Sequence, residues 1–148
     1  MHEDIKSVLF LCTGNSCRSQ MAEGWAKHIH GKSLDIYSAG IETHGLNPYA
    51  VKVMKEAGVD ISKQRSELVD DYVEWEFDLV VTVCGAANET CPRFPGDTRV
   101  EHVPFDDPPI LAEGLTDEEE KMDCFRRVRD EIKSYVETLP EVLNAGKD

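Results

Sequence analysis

A cysteine and an arginine frame the stretch Cys12-Thr13-Gly14-Asn15-Ser16-Cys17-Arg18, with Ser19 directly after it. An apolar run precedes this stretch and helical spacing follows it. Where a strand passes into a helix through small residues, loop N–H groups and the helix N-terminus converge on a tetrahedral oxyanion. Thr13, Gly14, Asn15, Ser16 and Cys17 supply the loop amides, and the Arg18 guanidinium can clamp two oxygens. The same positive field favours thiolate at Cys12, making its sulfur a nucleophile, and Ser19 can donate a hydrogen bond to that sulfur. Gly14 and Asn15 tolerate the positive φ that inward-facing amides require. The spacing alone is weak evidence; a core cysteine beside a surface arginine is the competing reading, and the position between strand and helix weighs against it. For Cys17 packing is the simpler reading.

Two further thiols, Cys84 and Cys91, flank a polar stretch. A single C-x6-C pair without a second pair is a poor zinc pattern, which leaves redox chemistry or plain burial. His28 and His30 do not share a helix face, and His2, His44 and His102 have no ligand spacing. Cys124 sits beside the apolar stripe of the last helix and reads as a small hydrophobe; Met21 and Trp25 read as core.

The elements around these residues follow from periodicity. Lys6 to Leu11 reads as a buried strand, followed by a helix carrying Met21, Ala22, Trp25, Ala26 and Ile29 and stopping at Gly31. Leu34 to Ala39 is a second strand, and Asn47-Pro48 starts a helix that ends at Gly58. A short helix is expected over Glu67 to Trp75, a strand over Phe77 to Val83 and a weaker one over Arg99 to Phe105. Thr116-Asp117-Glu118-Glu119 reads as a capping box opening the last helix, whose stripe is Met122, Phe125, Val128, Ile132, Tyr135/Val136 and Leu139. Strands alternating with helices imply an α/β fold, a parallel sheet with helices on both faces, in one domain over residues 1–148. Cys12, Cys84 and Asp107 all follow strand ends, where such folds bind ligands.

Composition restricts the partners. The chain has 148 residues, 41% hydrophobic and 30% charged, with a net charge of −13. That field repels nucleic acid and anionic lipid, and no apolar run approaches the roughly 20 residues a bilayer requires. The N-terminal residues are acidic where a secretory signal is basic, so the cytoplasm is the expected compartment, and five cysteines there do not form a static disulfide framework.

Cys12-x5-Arg18-Ser19 after a strand resembles the loop of low-molecular-weight protein tyrosine phosphatases, whose fold is a four-stranded parallel sheet flanked by helices. That family also carries a catalytic aspartate before a proline; Phe105-Asp106-Asp107-Pro108 matches, which makes Asp107 the general acid by resemblance and Asp106 its fallback. The chain from Val8 to the last helix further resembles thioredoxin-coupled arsenate reductases. The resemblance is carried by Cys12 to Gly24, Tyr37-Ser38-Ala39-Gly40-Ile41-Glu42, His44-Gly45-Leu46-Asn47-Pro48, and Cys84 with Cys91-Pro92. It implies that Cys12 attacks arsenate, for which phosphate and sulfate are analogues, and that Asp107 assists the departing oxygen. Cys84 then attacks Cys12 to release arsenite, and Cys91 attacks Cys84 to leave a disulfide for thioredoxin.

A helical 84–91 segment would hold those α-carbons about 10.5 Å apart, beyond the limit of about 7 Å for a disulfide. The pairing therefore requires an unwinding switch there. No organic cofactor is implied. Some members bind potassium beside the loop; Asn15, Glu23 and Ser38 match three of those positions, and Glu67 stands where the fourth has Asp. Asn15 can equally bond its own loop. The rival readings are a phosphatase using Cys12, Arg18 and Asp107, and a non-enzymatic oxyanion-binding module.

Overall fold

The computed structural model describes residues 5–84, 94 and 96–145. Strand β1 (Lys6–Cys12) is an unbroken apolar run because both its faces are covered, and Val8, Leu9, Phe10 and Leu11 are fully buried. It is followed by α1 (Arg18–His30), β2 (Leu34–Gly40) and α2 (Pro48–Glu56). After these come β3 (Leu79–Thr82), β4 (Val100–His102), the short α3 (Pro108–Leu111), α4 (Glu118–Glu137) and α5 (Leu139–Ala145).

The strands form one sheet in the order β2-β1-β3-β4, every pair parallel, with Phe10 opposite Ser38 and Leu11 opposite Thr82. The chain moves outward from β1 to β2, then returns to the other side of β1 to lay down β3. Such a reversal opens a crevice beyond the carboxyl ends of the strands on either side of it. Cys12 closes β1 at that end, and Cys84 lies two residues past β3.

Alternate β1 side chains enter two cores. Val8 and Phe10 pack with Met21, Trp25, Met54, Phe125 and Ile132 from α1, α2 and α4. Leu9 and Leu11 pack with Ala39, Val69, Tyr72, Phe77, Val80 and Phe94 on the other side.

The expected helix over Glu67 to Trp75 is a single 3-10 turn, Val69–Tyr72. Its apolar residues Val69, Tyr72 and Trp75 recur every three positions, the 3-10 repeat, and ring contacts join Tyr72 and Trp75 to Tyr37 and Phe77. The strand expected over Arg99 to Phe105 shrinks to Val100–His102, an edge strand with one paired side. The cap of α4 is Asp117, which accepts from the Glu120 N–H at 3.3 Å, so the box begins one residue later than Thr116. That helix stops at Thr138, because Pro140 has no N–H to continue the ladder. Asn47 caps α2 as expected, accepting from the N–H groups of Tyr49 and Ala50.

Candidate active site

The loop after β1 is held by its carbonyl groups. Thr13 O accepts from the Glu42 N–H at 3.0 Å, Gly14 O from the His44 N–H at 3.0 Å and the Ser66 hydroxyl at 3.1 Å, and Ser16 O from the Asn47 N–H at 2.9 Å. A trans peptide directs its N–H opposite its C=O, so tethering the carbonyls outward turns the loop amides toward the concave side. Asn15 takes the left-handed conformation, φ 46°, that lets the loop curl. Gly40 is needed for the same curl: a Cβ there would stand 2.7 Å from Thr13 O and 2.8 Å from Asn15 N.

Helix α1 opens beneath this bowl with Cys17 at its N-cap, no side-chain capping bond and no acidic residue in its first turn. Its N-terminal partial positive charge is therefore not neutralised from within the helix. Residues 18–26 are all buried, including Arg18, Ser19, Gln20 and Glu23, a polar content that burial tolerates only with partners.

Those partners form a chain. Asn15 Nδ2 donates to Ser19 Oγ at 2.8 Å and Ser38 Oγ at 3.0 Å, while Asn15 Oδ1 accepts from the Glu67 N–H at 2.6 Å and Gln20 Nε2 at 3.1 Å. Ser38 in turn donates to Glu23 Oε1. Because the amide nitrogen can only donate, Ser19 Oγ accepts from it, and its own hydrogen is left for Cys12 Sγ, 2.9 Å away. That bond aims a donor at the sulfur of the nucleophile.

Arg18 is 3% exposed; its Nη1 donates to Phe105 O at 3.1 Å and its Nη2 lies 3.6 Å from Asp107 Oδ2. The two candidate acids separate here. Asp107 faces the cavity, whereas Asp106 turns away to Arg127 Nη2 at 2.8 Å. The cavity, about 350 Å³, is lined by Cys12, Thr13, Gly14, Ser16, Cys17, Arg18, His44, Asp107, Pro109 and Ile110. A larger groove of about 660 Å³ at the other end of α1, from Lys27 to Tyr37, contains no thiol, so the nucleophile belongs to the smaller one.

The thiols differ in character. Cys17 is pushed well above the ordinary thiol range by burial first, then by the negative charges of Asp107 and Cys12, against the opposing pull of Arg18; it is an inert sulfur. Cys124 is partly buried against the core; it is a free thiol, as are the buried Cys12 and Cys17. Cys84 is buried beside β1 and is disulfide-bonded. In register, Leu11 faces Thr82 and the Val83 N–H donates to Leu11 O, so Cys84 follows one residue after the position opposite Cys12. Cys91 and the expected switch, residues 85–90, lie outside the described residues.

His44 and Ile110 in the cavity wall were not singled out by sequence reasoning as contacts of the loop. The available signal for His44 is Gly14: a Cβ there would approach His44 Nδ1 to 2.4 Å. Among the described residues no group of three or more His, Cys, Asp or Glu could hold a metal ion, and no helix is long and apolar enough to cross a membrane.

An α/β sheet with a cysteine-arginine anion bowl at its switch point and an aspartate across the cavity defines the class of cysteine-dependent phosphate-handling folds. The chain belongs to the low molecular weight phosphotyrosine protein phosphatase family, whose model matches residues 7–148. It is 56% identical over 142 residues to an arsenate reductase of Bacillus subtilis, covering 96% of this chain and 98% of that one. An arsenate reductase solved in the phosphate binding state superposes with a TM-score of 0.72 at 32% identity, covering 93% of this chain and 98% of that chain. A thioredoxin-dependent arsenate reductase of Corynebacterium glutamicum superposes with a TM-score of 0.66 at 25% identity, covering 99% of this chain and 66% of that chain.

Proposed function

We propose that the protein reduces arsenate to arsenite with a relay of three cysteines, Cys12, Cys84 and Cys91, and is regenerated by thioredoxin in the reducing cytoplasm. The observation that carries this reading is the second buried sulfur, Cys84, at the end of the strand paired with the nucleophile's own. Ester hydrolysis at Cys12 has no use for it. Relatives named as arsenate reductases, one of them thioredoxin-dependent, support the choice of substrate and reductant.

The Cys12 thiolate attacks As(V) held by the loop amides and Arg18, forming an S–As bond. Asp107 protonates the departing oxygen, which leaves as water. Cys84 then attacks Cys12 Sγ; the S–As bond breaks, its electron pair passes to arsenic, and arsenite leaves with a Cys12–Cys84 disulfide behind it. Two thiols have supplied the two electrons that convert As(V) to As(III). Attack of Cys91 on Cys84 frees Cys12 and yields the Cys84–Cys91 disulfide that thioredoxin reduces.

The test is arsenate-dependent oxidation of NADPH in the presence of thioredoxin and its reductase. Cys84→Ser and Cys91→Ser are each expected to abolish it while leaving slow phosphoester cleavage, which depends on Cys12. A phosphatase, by contrast, would lose nothing from either substitution and would show no arsenate-dependent turnover.

A further inference from the structure

The resemblance matches Asn15, Glu23 and Ser38 to ligands of potassium, with Glu67 where the fourth ligand is Asp, yet most of their polar atoms are already engaged. Asn15 directs its Nδ2 hydrogens at Ser19 and Ser38, and its Oδ1 accepts from Glu67 N–H and Gln20. Glu67 Oε1 accepts from the Tyr72 hydroxyl at 2.6 Å. Glu23 accepts from Ser38 at Oε1, and its Oε2 holds the ammonium of Lys27, one helical turn on, at 2.5 Å. A cage for a hard cation needs several oxygens aimed at one point, and here Asn15 presents hydrogens where an oxygen is required. The residues do not fit a resident potassium ion.

We propose that the Lys27 ammonium takes the place of that cation and is a positioning residue for Cys12. Glu23 is 7% exposed, and burial of a carboxylate is tolerated only with partners, here Lys27 and Ser38. Neutralised by Lys27, it holds the Ser38 hydrogen; the Ser38 oxygen then accepts from Asn15, the second Asn15 hydrogen goes to Ser19, and the Ser19 hydrogen goes to Cys12 Sγ. Glu23, an acceptor only, fixes the Ser38 end of this chain, and the Asn15 amide, a donor only, fixes the Ser19 end, so Lys27 reaches Cys12 through charge. Without the ammonium, Glu23 adds an uncompensated negative charge behind the bowl. The proposal rests on Cys12 being the nucleophile, and is indifferent to which oxyanion it attacks.

The test uses the reduced full-length protein in choline chloride or potassium chloride at equal ionic strength, with Lys27→Met, Lys27→Arg and, as a charge control, the exposed Lys32→Met. Alkylation of Cys12 by iodoacetamide at neutral pH, followed by mass spectrometry of its peptide, reads the thiolate; thermal melting reads potassium binding. The parent is expected to behave identically in the two salts. In either salt, Lys27→Met is expected to react about three- to tenfold more slowly, the effect of one uncompensated carboxylate behind the sulfur, with Lys27→Arg and Lys32→Met within about twofold of the parent. Potassium is expected to restore none of the lost rate, because Asn15 still presents hydrogens to the site in Lys27→Met. A parent that melts or reacts differently in potassium overturns the proposal. So does Lys27→Met reacting at the parent's rate or recovering in potassium, or Lys32→Met slowed as much. Alkylation needs no arsenate, so this result and arsenate-dependent turnover fail independently.

Discussion

Replacing Ser19 by alanine removes one hydroxyl that lies 2.9 Å from Cys12 Sγ and accepts from Asn15 Nδ2 at 2.8 Å. A hydrogen bond to a charged group contributes about 1.5–3 kcal/mol, so its loss from the thiolate slows attack by roughly 10- to 100-fold at neutral pH. Stability also falls. Asn15 is fully buried and keeps Ser38 as acceptor for one amide hydrogen but loses the acceptor for the other. An unsatisfied buried donor costs about 1–3 kcal/mol, which for a domain of this size lowers Tm by roughly 3–10 °C. The assay pairs a pH profile of Cys12 alkylation with thermal melting of the same samples. If Ser19→Ala melts lower but alkylates at the parent's rate at neutral pH, the hydroxyl only braces the loop, and the argument that its hydrogen points at sulfur is wrong.

Asp107→Asn is expected to lower kcat for phosphoester cleavage by about 100- to 1,000-fold, as loss of a general acid does, while Asp106→Asn, which breaks only an exposed pair with Arg127, stays within about threefold. Gly14→Ala pushes against the His44 ring, which is half-exposed and can move; phosphate binding measured by calorimetry should weaken about tenfold with little change in Tm. The Tyr135 hydroxyl is buried with no hydrogen-bond partner among the described residues, so Tyr135→Phe is expected to leave stability unchanged or raise it by up to about 1 kcal/mol in a denaturant melt. The same burial pushes Tyr135 up to about 12. With the folded value raised, its contribution is intact below about pH 10 and is lost as pH climbs from 10 toward 12, which ultraviolet titration of the phenolates follows.

The strand-loop-helix that builds the bowl was legible because it is local: Cys12, Arg18 and Ser19 lie within two turns of chain, and Asn47 caps the next helix by contacts three residues long. The choice of Asp107 over Asp106 came by resemblance, from the proline that follows it; its physical reason is not local, since it depends on Arg127, which arrives from α4. Likewise Asn15, Glu23 and Ser38 could be named by resemblance, but their mutual bonding follows from the β1–β2 register that sets Phe10 against Ser38. The 3-10 turn was misjudged for an energetic reason: a spacing of three reads as a helix face until the aromatic rings it must meet are in place. Lys27 went unnoticed because a lysine four residues after a glutamate is commonplace on helix surfaces, and only burial of the glutamate gives the pair weight.

Parallel pairing of β1 with β3 joins residues about seventy positions apart in the chain, and such long closures form late. A nascent polypeptide that has emerged only through α2 already carries Cys12 and Cys17, yet lacks Cys84. The topology thereby postpones any exchange between Cys12 and Cys84 until biosynthesis has delivered the third strand, so the order in which the parts are made sets when those two sulfurs can meet.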